Sequence, residues 1–456
     1  MNPTVNTLFK ILFLCALFTQ AFAQQGTEMT MENAIQYALD NSADIRIARL
    51  NIEDAELQII ETRATGLPQL NGDASFNHYF KLPVSVLPAA FEELIRLGNG
   101  GELPPGFSNQ IAFALKNNFQ AGVNLKTMVF DGSFFTGLRA AELYRNLVQD
   151  ELAAKSQTLK NQVIEAYLPT VILQENIKIT DKNIANVEKL LYETNALFQE
   201  GFVEQLDVDR LKLTLANLQT ERENISRQFQ QTLNGLKFVM NFPIEKELVI
   251  ADIDNWKSAI LPLSQDDLEG KIDYFHRLNY KAAETGILLN ELNIDYTKKQ
   301  YLPTVYLNAS YNQAFQGNSL FNDPNSFWAP TGVIGMSLKV PIFDSFGKRA
   351  KIEKARLVTE IARAQQSQLA RLIDMEVANA RIQYKNAQQR LDNQQKNLDL
   401  AEKIYETTQI KYREGVGSSL EINQSEQSLY QAQRNYTQAL FDLLSSELSL
   451  YKALGK

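Results

Sequence analysis

Four stretches of this chain alternate apolar and polar residues with a period of two, and two much longer stretches place an apolar residue at every seventh position. In PQLNGDASFNHYF (68–80), Leu70, Gly72, Ala74, Phe76, His78 and Phe80 share a face against Asn71, Asp73, Ser75, Asn77 and Tyr79. Over 118–130, Phe119, Ala121, Val123, Leu125 and Val129 oppose Gln120, Asn124 and Lys126. Over 303–315, Val305, Leu307, Ala309, Tyr311 and Phe315 oppose Thr304, Asn308, Ser310 and Asn312. Over 331–343, Ile334, Met336, Leu338, Val340 and Ile342 oppose Gly335, Ser337 and Lys339. Strict alternation predicts β-strands. Each is long enough for the roughly 9–11 residues of a membrane-crossing strand, with one face for lipid and one for a water-filled lumen.

The period-seven segments predict long helices. Val377, Tyr384, Leu391, Leu398, Tyr405 and Tyr412 recur every seven residues, and Ala380, Ala387, Gln394, Ala401 and Thr408 follow three positions after the first five. That is an a/d-like seam rich in small residues, which lets helices approach closely. Val163, Thr170, Ile177, Ile184, Leu191 and Phe198 form the same seam earlier in the chain. Ile422, Leu429, Tyr436, Leu443 and Leu450 continue the spacing late in the chain, and Val208, Leu215, Arg222, Phe229 and Leu236 do so in the first half. A helix over 133–198 would extend roughly 100 Å at about 1.5 Å per residue, and Pro169 within it predicts a local kink.

The chain is therefore an internal repeat. TGLPQLNGDASF (65–76) answers to the stretch around 299–311, and VFDG (129–132) to IFDS (342–345). FQEGFVEQLDV (198–208) answers to YREGVGSSLEI (412–422). Each half reads helix, strand, loop, strand, very long helix, glycine-centred turn, long helix. The first repeat is assigned to 24–243, a connector without helical period to 244–265, and the second repeat to 266–456.

Membrane strands impose a condition on assembly. An open sheet edge in lipid leaves backbone groups unpaired at several kcal/mol each. Four strands cannot close a barrel of useful bore, so several chains are expected to share one. The alternative is a periplasmic coiled-coil adaptor or scaffold without a membrane barrel, its strands forming soluble hairpins. Membrane fractionation and heat-modifiable oligomer bands separate the two.

Composition narrows the field. Lys10, the apolar run Ile11–Phe18 and Ala21-Phe22-Ala23 predict a secretory signal peptide over 1–23; the apolar run is short for the alternative, a membrane anchor. Cys15 is the only cysteine and leaves with that leader, so no disulfide or thiol chemistry is expected. The net charge of −8 disfavours a nucleic-acid partner. No stretch of eighteen consecutive apolar residues predicts a spanning helix later in the chain. His78 and His276 stand alone in different segments and read as structural. With no phosphate loop, nucleophile elbow or convergent acid/base set, neither an enzyme nor a cofactor is expected.

The opening MTMENAIQYALDNSADIRIARLNIEDAE, the strand starts LPQL and LPTV, the strand ends VFDG and IFDS and the two glycine turns, in this order and twice over, resemble the TolC-like outer-membrane efflux family. The resemblance covers essentially the whole mature chain. It implies a mainly α chain with membrane β: a long coiled-coil α-helical barrel plus four strands per chain, in a homotrimer sharing a twelve-stranded β-barrel. It also implies an outer-membrane location in a Gram-negative bacterium with a large periplasmic portion, contact with outer-membrane lipid, and partnership with a periplasmic adaptor and an inner-membrane pump. The function implied is a passive exit duct of a tripartite efflux or type I secretion system.

Carried over position by position, the resemblance places Asp207, Tyr412, Glu421 and Gln424 at the periplasmic entrance gate. Gly201, Phe202, Gly415, Val416 and Gly417 fall at adaptor-contacting tips, and Val123, Leu125, Leu307 and Leu338 become lipid-facing. Gly417 stands where family members often carry an arginine that ties the closed entrance. Asp207 and Glu421 also suit the first turn of a helix, whose dipole favours acids, without any gating role. Ser418 and Ser419 read as N-cap candidates. The loop 82–117 is longer than its counterpart and is expected at the extracellular end of the barrel.

Overall fold

The computed structural model describes residues 27–112, 114–251, 263–319, 324 and 326–456. The expected leader lies outside the described residues, as do residues 252–262 of the expected connector. In chain order the elements begin β1 (Thr27–Met29), α1 (Met31–Asn41), α2 (Ala43–Ala64), β2 (Gln69–His78), β3 (Val84–Val86), α3 (Ala89–Gly98) and β4 (Gln110–Ala112). They continue with β5 (Asn117–Asp131), α4 (Gly132–Gln199), α5 (Gln205–Met240), β6 (Leu248–Ile250) and α6 (Gln265–Glu269). A 3-10 turn (Tyr274–His276) precedes α7 (Leu278–Lys299), β7 (Thr304–Gly317), β8 (Phe327–Lys339), α8 (Gly347–Arg413) and α9 (Ser419–Leu454). The described residues fall into two compact units: one within Met1–Glu53, Asn146–Gly286 and Ala362–Lys456, the other within Asp54–Arg145 and Ile287–Ile361.

The second unit holds an antiparallel sheet in the order β2-β5-β7-β8. Its central pair, β5 with β7, joins the first repeat to the second, so the halves are not independent sheets. Residues paired across antiparallel ladders share a face. Leu70, Leu125, Ala309 and Ile334 form one row, flanked on the same face by Val123 with Tyr311, Leu307 with Met336, and Val305 with Leu338. The opposite face carries Asn124 with Ser310, Lys126 with Asn308, Tyr306 with Ser337, and Thr304 with Lys339.

Two details differ from the alternation in the sequence. A bulge between Met128 and Phe130 leaves Val129 out of the ladder, so Phe130 rather than Val129 pairs with Val305 on the apolar face. β8 stops at Lys339, leaving Val340 and Ile342 beyond the strand; Pro341 lacks the N–H a ladder needs. The loop 82–117 also carries regular structure of its own: β3 pairs antiparallel with β4, and α3 lies between them.

The first unit is helical. Val163, Thr170, Val377, Ala380, Ala387, Ala401, Tyr405 and Tyr412 of the seam are buried. Arg222, the charged residue in an apolar series, is exposed and meets Asp181 at 3.0 Å. α4 continues through Pro169 without a break in its helical assignment. One core cluster gathers Met29, Ala34, Val163, Tyr167, Leu236, Met240, Ile250 and Leu448. At its edge β1 pairs in parallel with β6, tying the start of the first repeat to the connector. The buried Tyr167 hydroxyl lies 3.1 Å from the Met29 carbonyl and 2.9 Å from that of Ala251, holding both segments against α4. Among the described residues no helix is long and apolar enough to cross a membrane.

Candidate functional site

The two glycine turns are built alike. α4 ends with Gly201 at φ +82°, and the Phe202 amide donates back to the Leu197 carbonyl at 2.9 Å. α8 ends with Gly415 at φ +72°, and the Val416 amide donates to the Lys411 carbonyl at 3.0 Å. A left-handed residue that closes the last helical turn in this way is a glycine position. A Cβ on either glycine would meet nothing within 4 Å, so backbone conformation alone selects them. Beside them Phe202 (77% exposed) and Val416 (78% exposed) project from the turns.

Each turn is followed at once by a new helix with its own cap. Glu204 precedes α5 in a capping box in which the Asp207 carboxylate accepts from the Glu204 amide at 3.3 Å. Ser418 caps α9, its hydroxyl accepting from the Glu421 amide at 3.3 Å. Both acids thus occupy the third helical position, where they complement the dipole. Their side chains have different surroundings. Glu421 and Gln424 are separated by one helical turn, and Glu421 is exposed. Asp207 accepts from the Ser419 hydroxyl at the start of α9 and lies 3.7 Å from the Arg210 guanidinium. Arg210 also donates to Ser419 at 3.1 Å.

Within the chain the Tyr412 hydroxyl pairs with Thr194 at 3.2 Å. Burial raises the Tyr412 pKa, with the nearby Asp207 charge adding to the effect. Gly417 is more than an absent arginine. A Cβ there would come within 3.0 Å of the Tyr412 amide nitrogen, so any side chain would press on the end of α8. The cation beside Asp207 is Arg210 instead. Further up the helices, Arg413 meets Glu193 at 3.2 Å and Asn183 donates to Gln433 at 2.8 Å.

Sequence reasoning missed Glu426. One turn past Ile422 on α9, it is 0% exposed, beside the cluster of Leu211, Tyr405, Ile422, Leu429 and Tyr430. Its Oε1 accepts from the Tyr405 hydroxyl at 3.5 Å, while its Oε2 is buried with no hydrogen-bond partner among the described residues. Burial pushes its pKa up to about 7, against a smaller lowering by the Tyr405 hydrogen bond. Burial, with the Glu426 charge, pushes the Tyr405 phenol up to about 12. The signal was present in the sequence as an acid interrupting the apolar positions Ile422, Leu429 and Tyr430 of one helical face.

The remaining expected residues lie on the sheet. Val123, Leu307 and Leu338 are exposed, and Leu125 half-buried, on the apolar face. The histidines are apart: His78 Nδ1 pairs with Asn117 at 2.7 Å, and His276 lies 3.1 Å from Asp273.

Glu426 makes stability pH-dependent with a defined sign. A carboxyl whose folded pKa is raised from 4.5 to about 7 keeps its proton longer when folded. Its contribution is full below the unfolded pKa and is lost as pH rises from about 4.5 through about 7, by a few kcal/mol per chain at most. Glu426→Gln should therefore flatten the difference in unfolding midpoint between about pH 5 and about pH 8, and raise stability at the higher pH. Equal pH slopes in wild type and variant would refute the assignment.

Comparison with known proteins agrees with this architecture. A family model described as "Outer membrane efflux protein" matches residues 34–241 and 277–456. The toluene efflux pump outer membrane protein TtgF of Pseudomonas putida is 24% identical over 434 residues, covering 93% of this chain and 83% of that protein. The pyoverdine export outer membrane protein OpmQ of Pseudomonas putida is 23% identical over 435 residues, covering 93% of this chain and 85% of that one. The solved structure of the outer membrane protein VceC from Vibrio cholerae superimposes with a TM-score of 0.66 at 18% identity, covering 93% of this chain and 96% of that one. With its repeated strands, long helices and paired turns matched over most of its length, the chain belongs to the outer membrane efflux protein family.

Proposed function

We propose that three copies of this chain close a twelve-stranded barrel in the outer membrane of a Gram-negative bacterium, and that their helices form a periplasmic tunnel serving as a passive exit duct. The observation that carries the reading is the sheet: four strands with an exposed apolar face, a polar face opposite, and unpaired edges on β2 and β8 among the described residues. A soluble adaptor would have to bury that face, and lipid covers it without further protein. The duct needs no cofactor and draws its energy from an inner-membrane pump, reached through a periplasmic adaptor. Relatives are named for cargoes as different as toluene and pyoverdine, so likeness alone assigns no cargo here.

The apolar face is tested directly. Leu338→Arg or Val123→Arg, near the expected midplane, should cost about 2–4 kcal/mol per site and deplete the outer-membrane trimer. Normal yield of heat-modifiable trimer for both substitutions would exclude the lipid-facing assignment.

The turns around Gly201 and Gly415, with Phe202, Val416 and Gly417, are the proposed adaptor contacts. Gly201→Val and Gly415→Val strain the backbone at positive φ without a packing clash. Trimers should still form but fail to crosslink to the adaptor. Unimpaired crosslinking and efflux in both variants would remove the turns from the interface.

Asp207, Tyr412, Glu421 and Gln424 are the proposed entrance gate. Three-fold symmetry makes an inward Glu421 a ring of three carboxylates, which attracts cations. Glu421→Gln should lower cation preference and block by multivalent cations in planar bilayers, with trimer stability nearly unchanged. Unaltered selectivity and block would leave Glu421 only the role of a helix-start charge.

A further inference from the structure

The polar face of the sheet carries a basic pocket that the duct reading does not use. Lys126 of β5, Lys339 of β8 and Lys348 of α8 line one cavity of about 790 Å³, together with Thr304, Tyr306 and Ser337. By register, Lys126 pairs with Asn308, Tyr306 with Ser337 and Lys339 with Thr304, so this set stands on the face opposite Leu338 and Val123. None of the three lysines forms an ion pair with a described acid. The acid lining the pocket, Asp131, already accepts from the Ser133 amide at 2.9 Å and its hydroxyl at 2.7 Å. Nearby Lys299, by contrast, is matched by Asp295 at 2.9 Å.

Lys348 sits in the first turn of α8, where its backbone amide donates to the Asp344 carboxylate at 2.9 Å. Its ammonium lies 5.1 Å from the Tyr301 ring, and that of Lys126 lies 4.7 Å from the Tyr306 ring. Aromatic faces hold a cation in place without neutralising it. Three lysines lining one cavity against a single lining acid, none of them in an ion pair, with hydroxyls between them, suit an oxyanion.

We propose that the pocket of Lys126, Lys339 and Lys348 binds the carboxylate or phosphate groups of anionic solutes passing through the duct, and so favours anionic cargo. The proposal rests on the duct reading, which turns this face of the sheet toward the lumen. Three-fold repetition would then set three such pockets around the passage, and a multivalent anion would feel several lysines at once.

The test uses the full-length trimer in planar bilayers of zwitterionic lipid, with citrate as the probe. Citrate should block wild-type current, and Lys126→Gln/Lys339→Gln/Lys348→Gln should raise the half-blocking concentration by about tenfold or more. The corresponding triple arginine variant should keep the block within about twofold of wild type, because the charge is preserved. If the triple glutamine variant does not insert, Lys339→Gln at the end of β8 carries the comparison with the same expected direction. Normal wild-type conductance without citrate block, or equal block in the glutamine variants, overturns the pocket and leaves the duct standing. Absence of any conductance overturns the duct itself. Loss of citrate block on adding anionic phosphatidylglycerol would reassign the lysines to a lipid phosphate and overturn the cargo role.

Discussion

The backbone of the sheet sets the terms for everything else. Among the described residues β2 and β8 each have one edge without a partner, and in hydrocarbon such N–H and C=O groups have no water to turn to. Among the described residues each half supplies two strands to this sheet, and the middle pair, β5 and β7, takes one from each. Pairing across that boundary makes the sheet continuous, and on the proposed reading its outer strands are where another copy joins. The same logic explains why the halves are so alike. Two equivalent strand pairs, each leading into an equivalent long helix, let every strand boundary in a closed barrel be followed by the same kind of wall.

The helices meet a different constraint, since a thin wall with water on both sides offers little room for bulky core. Alanines and threonines fill many seam positions, and the threonines satisfy themselves: Thr170 donates to the Ala166 carbonyl at 3.0 Å and Thr180 to that of Asn176 at 2.8 Å. A hydroxyl that bonds its own helix can be buried at a close helix contact without needing a partner opposite. Glu426 breaks that rule. One oxygen has the distant Tyr405 hydroxyl and the other nothing, so the group is stable there chiefly in its neutral form.

Most of the fold is legible in the sequence because its marks are local. Strands, long helices, turns and the doubling of the chain all leave a signal within a few residues of themselves. What escapes is either non-local or too short to have a period. The parallel pairing of Thr27–Met29 with Leu248–Ile250 joins two three-residue strands across the whole first repeat. The bulge at Val129 is a single unpaired residue inside a run that alternates well on its N-terminal side. At the turns, the glycines and caps are legible because φ and the unpaired amides of a helix start dictate residue type. The tie between the turns is not, since Arg210 reaching Ser419 depends on how α5 and α9 pack. Its i, i+3 spacing from Asp207 is nevertheless in plain view.

That tie separates the roles of the two acids in the proposed gate. Asp207 is committed several times within its own chain: it closes the capping box, accepts from Ser419 and lies beside Arg210. A partly exposed pair such as Asp207–Arg210 adds little stability by itself. The shared contact with Ser419 instead fixes the start of α5 against the start of α9, so the two turns shift together or the contact breaks. Glu421 is joined to its cap only through its backbone amide, and its carboxylate remains exposed. On the proposed reading, Asp207 therefore sets the geometry of the entrance while Glu421 sets its charge. Gly417 belongs to the first role. Its lack of a side chain lets the turn fold back onto the end of α8, and the guanidinium beside Asp207 is that of Arg210, on the helix that follows the other turn.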